Sequence, residues 1–298
     1  MSAADKQRIE FIDRLWLEKQ AVPLRSSLWL WYNGKGMRKI IIITGASSGM
    51  GACFARQLAV ENAEMWLIAR RKERLDALAC ELTKYRTCPV KAICMDISGR
   101  KGVEKFASFL QSEIEREALE ILYLVNNAGF GTYGTFAETP LEPQLDMIDT
   151  NCIALTGLCG VCLPHFAQGS TIINVASLAS FLPLGNFAVY GATKSFVLSF
   201  SVALAAELSD RKIKVCALCP GPVSTEFANV ASNGARPKVL HGLSAEKVVA
   251  HCLKCARKNK KIAIMALKWK FKAFASSFVN RYHGALFTYR YCKRPRNN

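Results

Sequence analysis

The chain has 298 residues, of which 51% are hydrophobic and 21% charged. These proportions support a full core and exclude a mainly disordered or collagen-like polypeptide. Its formal net charge of +17 is uneven: residues 1–38 carry +3, residues 39–246 balance 19 basic against 19 acidic side chains, and residues 247–298 hold 14 basic and no acidic ones.

A neutral body with a basic tail differs from a basic nucleic-acid-binding face, so no nucleic-acid partner is expected. Twelve cysteines in a chain of this length do not make a short secreted disulfide scaffold. No secretory h-region follows the charged N-terminus, and no charge-free run of about 18 apolar residues stands out as a membrane span. The expectation is a cytoplasmic protein with reduced thiols. Cys159/Cys162, Cys216/Cys219 and Cys252/Cys255 have CxxC spacing. The middle pair lies in a strand pattern, where residues three apart face opposite ways. All three pairs read as small buried hydrophobes, and the histidines at 165, 241, 251 and 283 form no ligand spacing. No metal site is expected.

Residues 1–38 form an extension in which Ile9, Ile12, Leu15 and Trp16 make one helical stripe that Pro23 ends. From Lys39 a regular alternation begins. Strands are expected at 39–44, 64–69, 90–95, 121–125, 170–175, 214–219 and 262–266. Helices are expected near 50–60, 73–85, 102–116, 141–165, 189–208 and 245–256. Strands alternating with helices at this spacing predict an α/β, Rossmann-type doubly wound parallel sheet spanning residues 39–266 as one domain. Residues 267–298 form a basic tail.

Thr44-Gly-Ala-Ser-Ser-Gly-Met-Gly51 joins the first strand to the first helix. Gly45 permits a tight turn, and Gly49 and Gly51 let backbone and helix approach a pyrophosphate at the positive helix end. The second strand runs into Arg70-Arg71-Lys72, with no carboxylate until Glu73. A guanidinium forks around a 2′-phosphate, so NADP(H) is favoured over NAD; the alternative is a solvated basic loop. Tyr190 and Lys194 lie four apart on one face of the long helix, and Ser177 follows the fifth strand.

With these motifs the chain resembles the classical short-chain dehydrogenase/reductase family. The carrying residues are Thr44–Gly51, Asp96, Asn126-Asn-Ala-Gly129, Asn151, Ser177, Tyr190/Lys194 and Pro220-Gly-Pro-Val-Ser-Thr225, in family order over residues 39–266. Softer features are similar to the 17β-hydroxysteroid and 3-ketoacyl reductase branch and its bacterial relatives. The resemblance implies a catalytic set of Asn151, Ser177, Tyr190 and Lys194. Tyr190 would be the general acid, Lys194 would lower its pKa and hold the nicotinamide ribose, Ser177 would bond the carbonyl oxygen, and Asn151 would help hold a relay water. It implies cofactor contacts from Gly45, Ser47, Ser48, Gly49, Met50, Gly51, Arg70, Arg71, Asp96, Asn126, Ala128, Gly129, Pro220, Gly221, Val223 and Thr225. It also implies a homodimer or homotetramer paired through the helices that carry Asn151 and Tyr190.

Phe181–Phe187 would border the ketone, and residues 223–243 would form a flexible lid. Both are mainly apolar or neutral, which suits a lipophilic ketone. The expected reaction is its NADPH-dependent reduction; the alternative is a non-catalytic NADP(H)-binding scaffold or redox sensor recruited to membranes by the tail. Leu267, Phe271, Phe274 and Phe278 recur at helical spacing beside Lys268, Lys270 and Lys272. This basic amphipathic helix either docks on the domain or makes peripheral contact with anionic membrane.

Overall fold

A computed structural model describes residues 37–237, 239 and 242–297. The N-terminal stripe from Ile9 to Trp16 and His241 lie outside the described residues. In chain order the elements are β1 (Arg38–Thr44), α1 (Gly49–Leu58), β2 (Glu64–Ala69), α2 (Lys72–Thr83), β3 (Val90–Cys94), α3 (Gly99–Arg116) and β4 (Leu119–Asn126). There follow α4 (Leu141–Ile148), α5 (Leu155–Cys162), β5 (Thr171–Val175), α6 (Ala188–Glu207), β6 (Lys214–Leu218), α7 (Phe227–Ala231), α8 (Ala245–Arg257) and β7 (Ile262–Ala263). The tail forms α9 (Leu267–Ala275) and α10 (Arg281–Tyr291).

The strands make one parallel sheet in the order β3-β2-β1-β4-β5-β6-β7. The order reverses between β1 and β4, so a crevice opens there at the carboxyl ends of the strands, where doubly wound sheets bind ligands. The four isoleucines of β1 explain the layering. Ile41 and Ile43 enter one core with Phe54 of α1 and Val248 of α8; Ile40 and Ile42 enter the other with Phe106 of α3 and Leu158 of α5. Period-two alternation therefore feeds both faces of a buried strand. Cys216 joins the first core and Cys219 the second, while Cys159, Cys162, Cys252 and Cys255 are also buried as free thiols. Among the described residues no cluster of potential metal ligands occurs.

Three sequence expectations change. The helix expected at 141–165 is broken by a π-helical turn, Asp149–Ala154, of the kind that often marks a functional position. That composite helix and α6 are both long and apolar enough to cross a membrane by length and composition. Their inward sides carry Leu155, Leu158, Val197 and Leu204 against the sheet, so part of that apolarity is core. The single tail helix becomes two, belonging to the same compact unit as the sheet.

Candidate active site

The turn between β1 and α1 depends on missing side chains. Gly45 and Gly49 have φ of +63° and +52°, a region that favours glycine. A Cβ on Gly51 would lie 2.2 Å from the Gly45 carbonyl oxygen. Thr44 Oγ1 accepts from the N–H groups of Asn127 and Ala128, each at 3.0 Å, and donates to the Val125 carbonyl at 3.3 Å. Asn127 Nδ2 donates to the carbonyls of Thr44 (3.0 Å) and Gly45 (3.2 Å). Ser48 precedes α1 without a side-chain cap, and the first turn carries no acidic residue. The first amides of α1 are thus open to an anion. This cradle fits the diphosphate of a nicotinamide dinucleotide. Met50 packs on the core beneath it, and Thr225 sits against Gly49, whose Cβ would lie 3.3 Å from Thr225 Cγ2.

Arg71 is held over this turn. Its Nε donates to Ser47 Oγ at 3.1 Å and its Nη2 to Ser48 Oγ at 2.5 Å. Its Nη1 donates to Glu226 at 2.8 Å, and Arg74 Nη1 reaches the other oxygen of that carboxylate at 2.6 Å. These two guanidinium groups hold the Glu226 carboxyl below its ordinary range. Arg70 is exposed. Asp96 accepts from Ser98 N–H (3.0 Å) and Oγ (2.8 Å). Burial raises its pKa, but these bonds and the Arg70 charge outweigh it and leave the carboxyl lowered.

Asn126 was expected to line the cleft; its side chain instead turns into the core. Its Nδ2 donates to Asn174 Oδ1 at 2.9 Å and Cys159 Sγ at 3.2 Å. As the last residue of β4 it follows the strand's alternation inward, and Asn127 takes the position on the glycine turn. Val223 is buried and bridges to Leu243. The Pro220 carbonyl accepts from Leu178 N–H at 3.0 Å, and Gly221 lies under the Trp269 indole, 2.8 Å from where its Cβ would stand.

Ser177, Tyr190 and Lys194 come together at the ends of β5 and α6. Tyr190 is 7% exposed and Lys194 5%. Ser177 Oγ accepts from Ala179 N–H at 3.1 Å and faces the Tyr190 phenol. Burial pushes the phenol well above its ordinary pKa, opposed by the Ser177 hydroxyl. The expected pull from Lys194 is not what balances it here. Lys194 Nζ donates to the Val175 carbonyl at 2.7 Å and stands 5.7 Å from the Tyr190 ring centre. Burial brings Lys194 itself down to about 8.

Asn151 lies within the π-helical turn. Its Oδ1 accepts from Phe130 N–H (3.1 Å), and its Nδ2 donates to the Phe130 carbonyl (3.0 Å) and Thr193 Oγ1 (3.1 Å). Asn151 thereby pins the loop after β4 to α6. A Cβ on Gly129 would lie 2.7 Å from Asn151 Oδ1 and 3.5 Å from Lys194 Nζ, so Gly129 leaves the lysine its space.

An aromatic wall encloses the phenol. Phe187 stacks on Tyr190 with centroids 4.1 Å apart and planes at 15°. Phe227 lies 5.4 Å from Tyr190, and Tyr133 meets Phe187 edge-on at 4.8 Å. The tail buttresses this wall. Gly185 N–H donates to Thr288 Oγ1 at 2.8 Å, and Asn186 Nδ2 to the Tyr289 carbonyl at 2.9 Å. A Cβ on Gly185 would fall 2.4 Å from Tyr289 Cβ.

Residues 39–235 match the short chain dehydrogenase family. The chain is 35% identical over 202 residues to a sulfoacetaldehyde reductase of Chromohalobacter salexigens, covering 66% of this chain and 78% of that one. It is 31% identical over 204 residues to a very-long-chain 3-oxoacyl-CoA reductase of Anas platyrhynchos, covering 66% and 64%. A solved short-chain dehydrogenase from Sphingobium yanoikuyae, in complex with NADPH, superposes with a TM-score of 0.71 at 31% identity, over 81% of this chain and 94% of that one. The seven-stranded parallel sheet, the glycine cradle and the match over residues 39–235 make the chain a member of the short-chain dehydrogenase family.

Proposed function

We propose that the protein is an NADPH-dependent carbonyl reductase that converts a lipophilic ketone, 3-oxoacyl or steroid-like, to an alcohol. The observation that carries this reading is a buried Tyr190 phenol facing Ser177, beside Lys194, under a wall of Phe187, Phe227 and Tyr133. A scaffold without turnover gives no reason to desolvate a phenol and an ammonium side by side. The proposed set is Asn151, Ser177, Tyr190 and Lys194, with NADP(H) on the α1 cradle and Arg71. The relative named for 3-oxoacyl-CoA reduction and the NADPH-bound neighbour support the same choice.

NADPH supplies the hydride when bound. The chain's own residues govern the proton. Ser177 Oγ accepts from Ala179, and its hydroxyl hydrogen, which faces the phenol in the free protein, would turn to the carbonyl oxygen as negative charge develops there. Tyr190 donates its phenolic proton to that oxygen, and Lys194 assists its return. The aromatic wall excludes water and accepts an apolar body. Turnover of a ketone panel, monitored by NADPH consumption, tests the reading.

The pH dependence has a defined sign. Reduction consumes a proton, and Lys194 carries its charge only below about 8. Thus kcat/KM for reduction should fall as pH rises through that value. A profile flat into the ordinary phenol range would contradict a role for the Lys194 charge.

The tail supports peripheral binding to anionic membrane. Leu267, Phe271, Phe274 and Phe278 are 81%, 71%, 65% and 77% exposed, although α9 docks on Gly221 through Trp269. Docking and an outward apolar stripe therefore coexist, flanked by Lys268, Lys270 and Lys272 with no acidic residue after position 246. A groove of about 400 Å³ beside this helix, bordered by Ile264, Lys270 and Phe274, suits an acyl chain. Phe271→Ser/Phe274→Ser/Phe278→Ser should abolish salt-sensitive sedimentation with phosphatidylserine vesicles while leaving ketone turnover in detergent intact. Equal sedimentation of the variant would refute membrane binding through this stripe. Cytoplasmic location, with this surface contact, is the matching expectation. Leu141, Leu145 and Ile148 on α4 and Phe196 and Val202 on α6 are exposed, which supports pairing as a homodimer or homotetramer through those helices.

A further inference from the structure

After α10 the chain returns to the mouth of the cleft and brings a cation with it. Arg294 Cζ lies 5.2 Å from the centre of the Phe187 ring, and that ring is the one stacked on Tyr190. Its Nη1 donates to the Gly185 carbonyl at 2.9 Å and to the Cys292 carbonyl at 3.5 Å. Both acceptors are neutral backbone oxygens. Among the described residues no carboxylate forms an ion pair with Arg294, and its Nε and Nη2 donate to no protein group. Burial depresses its pKa and outweighs the effects of Tyr133 and Cys292. Those two raise it, and Arg236, from the segment after α7, acts more weakly in the opposite sense.

A half-buried guanidinium without an acid partner is an unfavourable arrangement in isolation. It becomes favourable when an oxyanion joins it, because two open N–H edges then form charge-assisted bonds. A latch that merely tied the tail to Gly185 would need one neutral donor. The position is equally informative: Phe187 separates the cation from Tyr190, so an anion here would sit at the far end of a molecule whose reacting carbon faces the phenol.

We propose that Arg294 binds the oxyanionic end of the substrate, which makes that substrate an amphiphilic keto acid. This rests on the reductase reading and adds the polarity and length of the substrate to it. The apolar body lies along Phe187 and Phe227, and its keto group reaches Ser177 and Tyr190. Arg294 is a specificity residue that leaves the proton chemistry to the buried set.

Two measurements on the full chain test this. The first compares steady-state reduction of a medium-chain oxo acid series, varied in keto-to-carboxylate spacing, with the corresponding methyl esters. At the best spacing the acid should show a KM lower than its ester by about tenfold to a hundredfold, the effect of one to two hydrogen bonds to charge. Arg294→Gln should remove that advantage through KM with kcat retained, Arg294→Lys should restore part of it, and the ester should be unaffected. The second is calorimetric titration with decanoate and decanol, which needs no turnover. Decanoate should bind more tightly, and Arg294→Gln should erase the difference. Equal effects of Arg294→Gln on acid and ester, or equal binding of decanoate and decanol, would overturn the proposal. Arg294-dependent decanoate binding with no ketone reduced would uphold the anion site and refute the reductase reading alone.

Discussion

Tyr190→Phe should reduce kcat/KM for ketone reduction by about two to four orders of magnitude, the usual contribution of a positioned general acid. The variant keeps the ring that stacks between Phe187 and Phe227 and deletes only the hydroxyl. Its cost to folding is correspondingly small. Losing the polar interaction of one buried hydroxyl with Ser177 is worth about 1 kcal/mol, which shifts Tm by roughly 2–4 °C in a domain of this size. NADPH binding, followed by fluorescence titration, should be unchanged, since Arg71 and the glycine turn are untouched. Chemistry lost with fold and cofactor affinity retained assigns the phenol its proton. An unaltered rate would remove Tyr190 from the mechanism.

Cofactor choice should respond most to Arg71. Arg71→Ala should raise Kd for NADPH by about 100-fold while leaving NADH nearly unaffected. Two charge-assisted bonds to a 2′-phosphate are worth about 3 kcal/mol, and 1.4 kcal/mol is tenfold. The structure adds a counter-variant. Glu226 already draws on Arg71 and Arg74, so a phosphate must compete with its carboxylate. Glu226→Gln should therefore tighten NADPH by up to about tenfold. Parallel NADPH and NADH titrations of both variants read this out. Equal losses for the two cofactors in Arg71→Ala would show that the guanidinium shapes the turn instead of reading the 2′-phosphate.

Much of the fold was legible because its signals are local. The isoleucine run of β1, the glycines after it and the four-residue spacing of Tyr190 and Lys194 each announce their structure within a few residues. The losses occur where partners are distant. Arg71 meets Glu226 across 155 positions, and Gly185 meets Thr288 across 103; no periodicity encodes either. The helix α10 is not legible in the sequence because its exposed Tyr282, Phe287, Tyr289 and Tyr291 fall on several sides and form no stripe. Asn127 was within reach. Alternation along β4 turns Asn126 inward and so presents its neighbour to the glycine turn, a distinction the motif alone does not draw. The π-helical turn at Asn151 carries no sequence mark.

The distribution of thiols has a practical consequence. Burial pushes Cys159 and Cys219 up to about 12 and Cys53 and Cys152 to about 11, so at neutral pH they hold little of the thiolate that alkylating reagents attack. The exposed thiols are Cys80, Cys94 and Cys292. Of these, Cys292 ends α10 two positions before Arg294, while Cys80 and Cys94 lie in α2 and β3. With these two and the partly exposed Cys88 replaced by serine, a single dye on Cys292 would turn the C-terminal segment into its own optical reporter. Undocking of that segment from the cleft could then be timed in solution, independently of any turnover.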